Sequence, residues 1–148
     1  MKFKSVFLVG VLLLAFLSVS AIYADDTVVY GKSSFSIPDG YTLMEQDNQM
    51  VMYNDDYVMS IYEGSIIDTS KARDNRIKKG YNLVEEKNYT LDGIKINQQS
   101  YNSKGYNCLF YTFKKNNKNY IVSLVVDENK PIPADEDNPA IGIIQSLT

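Results

Sequence analysis

Two stretches of sequence decide the fold: Y-N-C-L-F-Y-T-F-K at Tyr106 to Lys114, and N-Y-I-V-S-L-V-V at Asn119 to Val126. Both are rich in the β-branched and aromatic residues that strands favour, and the turn pair Asn116-Asn117 lies between them. Apolar residues occupy both faces of each strand at Leu109 to Phe113 and at Tyr120 to Val126. Because such strands are covered on both sides, we predict two adjacent central strands of an antiparallel sheet.

Further strands are predicted on the N-terminal side of this pair. Turns at Asp92-Gly93 and Ser103-Lys104-Gly105 punctuate a meander, and Asn54-Asp55-Asp56 marks an earlier hairpin. Before the hairpin, Asp39-Gly40 forms a tight turn between two extended pieces. The additional extended segments are Phe35 to Pro38, Tyr41 to Met44, Gln49 to Tyr53, Tyr57 to Glu63, Asn82 to Leu91 and Ile94 to Tyr101. We expect an antiparallel sheet of about six strands.

A helix is predicted from Asp68 to Gly80, where Asp68 or Thr69 caps the start and Gly80 suits a left-handed stop. Its apolar residues are essentially Ala72 and Ile77, so the helix is expected to lie on the surface. Five basic side chains are therefore expected to be largely solvated: Lys71, Arg73, Arg76, Lys78 and Lys79. A basic binding face is the alternative interpretation.

A second helix is predicted to close the chain. Asn138 is its cap and Pro139 lies in its first turn, with the acidic run Asp135 to Asp137 near its positive end. Apolar residues follow at spacings of three, four and seven, at Ala140, Ile143, Ile144 and Leu147. This amphipathic helix packs on a sheet. The fold class is therefore α+β, an antiparallel sheet flanked by two helices.

The first segment, Met1 to Ala24, has the pattern of a secretory signal. Lys2 and Lys4 precede an apolar stretch from Val6 to Leu17, and small residues follow it. Cleavage after Ala24 is favoured, because the strongly apolar part is shorter than the roughly 20 residues of a membrane span. An uncleaved N-terminal anchor is the alternative. In both cases residues 25–148 lie outside the cytoplasm, as a single domain.

Composition excludes several classes of chemistry. The chain of 148 residues has no His, which removes the usual general base and the commonest metal ligand. Cys108 is its one cysteine, so neither an internal disulfide nor a thiolate zinc cluster can form. Cleavage after Ala24 would leave 13 basic against 18 acidic residues, a net charge of −5. This acidic balance argues against nucleic acid as a partner.

Several local phrases and the order of elements resemble the PsbP-like superfamily. They are F-S-I-P-D-G-Y at Phe35 to Tyr41, Y-T-L-D-G at Tyr89 to Gly93, and A-I-G-I-I-Q-S-L at Ala140 to Leu147. That superfamily includes the extrinsic photosystem II subunit, a Ran-binding nuclear protein and many exported prokaryotic proteins. The resemblance covers nearly all of residues 25–148 and implies an α/β/α sandwich. It carries no catalytic residue onto this sequence and does not imply photosynthesis.

Acidic clusters are the candidates for calcium binding or carboxylate chemistry, but an EF-hand spacing is absent. The calcium alternative involves Asp25, Asp26, Asp127, Glu128, Asp135, Glu136 and Asp137. Helix-dipole complementarity and solubility account for these residues instead. The pairs Asp55-Asp56 and Glu85-Glu86 are interpreted as a turn and an exposed strand. No catalytic residue, cofactor site or metal site is predicted.

Other singled-out residues have a structural explanation beside a functional one. Cys108 lies in an apolar strand and is expected to pack in the core. Asn88-Tyr89-Thr90 is an N-glycosylation sequon, so Asn88 is a candidate modification site. The basic tip from Lys114 to Asn119 is a polar turn, or else a contact for an anionic surface. An aromatic binding surface is the alternative to ordinary sheet positions for Tyr30, Tyr41, Tyr53, Tyr57, Tyr62, Tyr81, Tyr89, Tyr101, Tyr106, Tyr111 and Tyr120.

These observations lead to one functional hypothesis and two alternatives. The hypothesis is an exported, non-enzymatic binding or assembly module of the cell envelope, expected to be a monomer that binds an envelope protein or a small ligand. The first alternative is an extracytoplasmic enzyme that depends on carboxylates or a metal. The second is a membrane-tethered structural protein, and membrane contact is expected only if Met1 to Ala24 is retained. Nucleic acid is not expected as a partner.

Overall fold

The computed structural model describes residues 27–30, 33–37, 39–46, 49–65 and 67–148, and the predicted signal or anchor Met1 to Ala24 lies outside them. In chain order the described strands and helices are β1 (Thr27–Tyr30), β2 (Ser33–Ser36), β3 (Thr42–Gln46), β4 (Gln49–Tyr53), β5 (Tyr57–Gly64), α1 (Thr69–Lys78), β6 (Asn82–Leu91), β7 (Ile94–Ser103), β8 (Tyr106–Lys115), β9 (Lys118–Asp127) and α2 (Pro139–Ser146). A single 3-10 turn, Asp135–Asp137, directly precedes α2.

The main sheet is antiparallel throughout, with the strand order β3-β4-β5-β9-β8-β7-β6. Strands β6 to β9 form the predicted meander, and β9 then pairs with β5 from Tyr57 opposite Val126 to Gly64 opposite Asn119. Because β8 and β9 lie in the interior of the order, the prediction of two adjacent central strands is confirmed.

The expectation of six strands is wrong, because the main sheet has seven. The extended piece after the Asp39-Gly40 turn does not pair with the piece before it. It becomes β3, which lies against β4 at the edge of the main sheet with Thr42 opposite Tyr53. The piece before the turn is β2, which pairs with β1 in a separate two-stranded sheet. A tight turn alone does not determine which strands pair, since pairing depends on contacts distant in sequence.

Three hairpin turns shape the meander, and each has positive φ at both central residues. These pairs are Asp92-Gly93, Lys104-Gly105 and Asn116-Asn117. Two-residue turns of this kind match the right-handed twist of the adjoining strands. Glycine accepts the positive φ without strain, whereas Asn and Asp tolerate it better than most other side chains. All three turns lie where the sequence predicted them.

The two faces of the main sheet carry two separate clusters of buried side chains. Alternate residues of β8 divide between them: Leu109 and Tyr111 belong to the first cluster, and Cys108 belongs to the second. The first cluster also holds β2 and α2, through residues such as Phe35 and Ile143. Because α1 lies against the second face, the helices cover opposite faces as a sandwich.

Asn138 fixes the start of the closing helix against the first face of the main sheet, and its side chain is buried. Its Oδ1 accepts a hydrogen bond of 2.9 Å from the Ala140 backbone N–H, which caps α2. Its Nδ2 donates at 3.0 Å to the Tyr111 hydroxyl of β8. One side chain therefore ends the helix and ties that end to the sheet. The prediction of a capped helix with Pro139 in its first turn is confirmed.

We expect Asn138→Ala to lower the free energy of unfolding by about 2 to 3 kcal/mol. The substitution removes a helix cap, worth about 1 kcal/mol, and the partner of a buried hydroxyl, worth about 1 to 3 kcal/mol. Urea unfolding followed by circular dichroism measures the change. Asn102→Ala, at an exposed position of β7, is the control and is expected to stay within about 0.5 kcal/mol of the unsubstituted protein. Equal unfolding free energies for the two variants would contradict this role of Asn138.

Candidate functional site

A cleft of about 410 Å³ lies between the end of β2, the starts of β3 and β5, and the start of α2. Buried apolar side chains and the buried Asn138 form its floor, and exposed polar and acidic groups form its rim. The residues that line it are Ser36, Ile37, Tyr41, Tyr57, Glu136, Asp137, Asn138, Pro139 and Gly142.

Local sequence places each wall of this cleft. Gly40 has a φ of +93°, and this turn delivers Tyr41 to the start of β3. Asn54 Oδ1 accepts hydrogen bonds of 2.8 Å from the backbone N–H groups of Asp56 and Tyr57, which holds the turn that begins β5. The 3-10 turn brings Glu136 and Asp137 to the rim because Asn138 holds its end against the sheet.

Tyr41 supplies a neutral phenol to the floor of the cleft. The residue is only 4% exposed. Burial, helped by the nearby Tyr57 and Asp56 and opposed by a hydrogen bond with Asn54, raises the pKa of Tyr41 to about 12. The hydroxyl therefore keeps its proton throughout the physiological range. It can make hydrogen bonds with a ligand, but it cannot serve as a base near neutral pH.

Negative charge is concentrated at this end of the main sheet, where β3 and β5 begin and β9 ends. We call it the cleft end. Two lysines lie at this end: Lys104 in the exposed turn before β8, and Lys130, whose Nζ contacts Asp56 Oδ1 at 2.9 Å. The acidic residues of the cleft end are Asp39, Asp55, Asp56, Asp127, Glu128, Glu136 and Asp137. Such an end attracts cations and repels anions.

Sequence comparisons give no relative, since no family model and no curated protein match this chain. Structure comparison gives a match. The solution structure of cyanobacterial PsbP (CyanoP) from Synechocystis sp. PCC 6803 matches with a TM-score of 0.60 and 12% sequence identity. The match covers 92% of this chain and 98% of that one.

The fold is PsbP-like. The resemblance predicted from the F-S-I-P-D-G-Y phrase, the Y-T-L-D-G turn and the closing helix is thus confirmed at the level of fold. At this identity the match concerns architecture alone. Shared architecture does not determine function, because one fold hosts many functions.

Sequence reasoning did not single out Tyr41 and Tyr57 as members of one site. Each of them follows an acidic turn, as D-G-Y at Asp39 to Tyr41 and as D-D-Y at Asp55 to Tyr57. That repeated phrase was the available signal. Only the PsbP-like tertiary structure brings the two tyrosines together with the acidic turn before α2.

The opposite face of the PsbP-like sheet corrects the prediction for the basic helix α1. None of its residues is buried, and Ile77 is 47% exposed, so apolar packing does not hold it. Two of the five basic residues predicted to be solvated instead face the sheet. Arg73 Nη1 donates to Glu86 Oε1 at 2.7 Å, and Arg76 Nη1 donates to Gln99 Oε1 at 2.8 Å.

The contacts of Arg76 and Glu86 attach α1 to three strands. The Arg76 guanidinium lies 3.7 Å from the ring centre of Phe110, and burial lowers its pKa. Hydrogen bonds from Asn97, Arg73 and Gln99 lower the pKa of Glu86 to about 2. The interpretation of Glu86 as a merely exposed strand residue is therefore wrong. Lys71, Lys78 and Lys79 remain exposed on α1.

The structure places the remaining sequence candidates apart from the cleft. Cys108 is buried, and burial raises its pKa to about 12, so a thiolate is not accessible near neutral pH. Asn88 is exposed on the edge strand β6, where its Oδ1 accepts from Asn97 Nδ2 at 3.1 Å. Its glycosylation stays a prediction. Among the described residues, no three His, Cys, Asp or Glu side chains are gathered to hold a metal ion.

The predicted basic tip has internal partners. Lys115 Nζ donates at 2.9 Å to the carbonyl oxygens of both Ile144 and Gln145, which caps the C-terminal end of α2. Lys118 Nζ donates at 2.9 Å to Ser33 Oγ of β2. The tip thus secures the closing helix and β2, a role that the sequence analysis did not assign to it.

We expect Glu86→Gln to lower the free energy of unfolding by about 1 to 3 kcal/mol near neutral pH, because it weakens charge-assisted hydrogen bonds. The folded-state pKa of Glu86 lies below its ordinary 4.5, so the stabilisation is present above that value and is lost as the pH falls toward about 2. Urea unfolding measured from neutral pH down to about pH 2 should show the unfolding free energies of the unsubstituted protein and of Glu86→Gln converging.

Glu85→Gln, at the exposed neighbouring position on β6, is the matched control. It is expected to change the unfolding free energy by less than about 0.5 kcal/mol near neutral pH. A constant difference between the unsubstituted protein and Glu86→Gln at every pH would show that the charge of Glu86 does not hold α1.

Proposed function

We propose that this protein is an exported, non-enzymatic binding module of the cell envelope that contacts its partner through the cleft end. One observation carries the proposal: a cleft with two tyrosines and an acidic rim lies at the most acidic end of the sheet. Clefts that combine apolar walls with a few placed polar groups are typical binding sites. Exposed carboxylates at a rim favour a partner of opposite charge.

The inventory of reactive groups favours binding over catalysis. The chain has no His, and its one thiol is buried with a raised pKa. The cleft tyrosine whose pKa is shifted is a neutral phenol near neutral pH. A carboxylate-dependent or metal-dependent enzyme is the alternative function. It would be favoured by a stoichiometric metal in the purified protein, or by hydrolysis that is lost on Asp→Asn substitution.

Export is supported by the pattern of Met1 to Ala24, with its positive start, apolar stretch and small-residue exit. In the described part of the chain, no helix has the length and apolar character needed to cross a bilayer. We propose a processed monomer that begins at Asp25. A retained segment would instead make this a membrane-tethered protein.

The intact mass and cell fraction of the protein from its native host test the export proposal. We expect a mass that starts at Asp25, in the soluble extracytoplasmic fraction, because small residues precede that position. A further mass increase that is abolished by Asn88→Gln would identify the sequon as used. Full-length mass in the membrane fraction would overturn processing and support the tethered alternative.

Co-immunoprecipitation from cross-linked envelope fractions tests the binding role. The double variant Glu136→Gln with Asp137→Asn removes two rim charges, and we expect it to reduce recovery of the partner by about tenfold. Asp74→Asn with Glu85→Gln removes two exposed charges from α1 and β6 and serves as the matched control. Equal recovery with both double variants would show that the partner does not bind at the cleft end.

A further inference from the structure

We infer that the cleft receives a long positively charged side chain, lysine or arginine, from a polypeptide partner. The inference rests on the proposed function, because it names the ligand of the same cleft. The ligand has an extended apolar stem that ends in a cationic head, and a protein supplies it.

The cleft has two kinds of surface, and they match the two parts of such a side chain. Ile37, Tyr41 and Pro139 are buried and give an apolar floor, whereas Glu136 and Asp137 are exposed at the rim. Lysine and arginine bury their methylene stems along apolar surface while the charged head stays at a wet, polar boundary. A compact cation would use the rim alone and leave the floor uncovered.

Charge around the cleft selects a cation over an anion. Two carboxylates of the cleft end, Glu136 and Asp137, line the cleft. Of the two lysines at this end, Lys130 is held by Asp56, while Lys104 lies in the turn beside Glu128. The exposed Lys78 and Lys79 belong to the end of α1, on the opposite face of the sheet. Carboxylates therefore outnumber lysines at the cleft end, which favours cationic groups over anions there.

Tyr57 adds an aromatic contact that suits an ammonium or guanidinium group. It is half-buried at the edge of the cleft, so part of its side chain is available to a ligand. Cations within about 6 Å of an aromatic ring are attracted by the ring quadrupole. This chain already uses that contact elsewhere, with Arg76 against Phe110 at 3.7 Å and Lys87 Nζ against Tyr89 at 5.6 Å.

The position of the cleft within a larger acidic end favours a polypeptide ligand over a free small cation. The rim carboxylates lie within a much larger acidic end, which extends over the turns before β5 and after β9. A single small cation would meet only the cleft. A basic segment of a protein would place one side chain in the cleft and others along the same acidic end, and each added contact slows dissociation.

Titration of the isotope-labelled full-length protein by NMR tests the inference. The probe is an acetylated, amidated pentapeptide with lysine at its centre and glycine elsewhere, and a tetralysine peptide tests the contribution of neighbouring charges. The control peptide carries norleucine in place of lysine, which keeps the stem and removes the charge. Spermidine is the free-cation control.

We expect the lysine peptide to shift the amide signals of Tyr57, Glu136 and Gly142, and tetralysine to bind about tenfold more tightly. Glu136→Gln with Asp137→Asn should weaken tetralysine binding by about tenfold, and Tyr57→Leu by about threefold, whereas Tyr57→Phe should bind normally. The amide spectrum of each variant reports whether it is folded. Asp74→Asn with Glu85→Gln should leave binding unchanged.

Three results would overturn the inference. Equal affinity for the norleucine peptide would show that charge is not recognised, and signal shifts confined to other surfaces would place the site elsewhere. Spermidine binding as tightly as tetralysine would identify a free small cation rather than a polypeptide. These results can be told apart from failure of the proposed function. If the inference alone fails, the rim variant still loses the envelope partner in co-immunoprecipitation, but neither the lysine peptide nor tetralysine competes with that partner for the protein.

Discussion

The buried side chain of Asn138 is the contact on which the functional end of this protein depends. It accepts from the first turn of α2 and donates to Tyr111 in the interior of the sheet. Tyr111 is itself buried, and burial raises its pKa, so its hydroxyl remains protonated. This one amide therefore ties the start of the closing helix to the sheet and positions the acidic 3-10 turn that precedes it. The rim of the cleft follows from that placement, because Glu136 and Asp137 immediately precede Asn138 in the chain.

The two faces of the sheet are covered by different physical means. On the first face α2 buries Ile143 and Ile144, so its attachment is mainly hydrophobic. On the second face α1 buries no residue and is attached by Arg73 and Arg76 through hydrogen bonds, an ion pair and contact with an aromatic ring. The first attachment depends little on pH, whereas the second depends on the charge of Glu86. The cleft lies with the hydrophobically attached helix, so conditions that loosen α1 should leave it in place.

Much of the fold could be predicted from local sequence, because its signals are local. Hairpin turns at Asp92-Gly93 and Asn116-Asn117, the doubly apolar strands β8 and β9, and the Asn138 cap all follow from residues that are neighbours in the chain. The number of strands could not be predicted in this way, since β2 and β3 flank one turn yet belong to different sheets. The contacts of Arg76 could not be predicted from local sequence either. A basic residue on a polar helix resembles a solvated one until Gln99 and Phe110 are brought beneath it.

The sequence by itself determined the α+β class, the order of the meander, the closing helix and the absence of histidine chemistry. These properties rest on composition and on periodicities of two and 3.6 residues, which short segments display without help from the rest of the chain. Only the tertiary structure decided that Tyr41, Tyr57 and Glu136 share a cleft. They lie up to 95 positions apart in the chain. Their proximity depends on strand pairing and on the position of α2 on the sheet. Long-range packing sets both of these, and no local pattern encodes it.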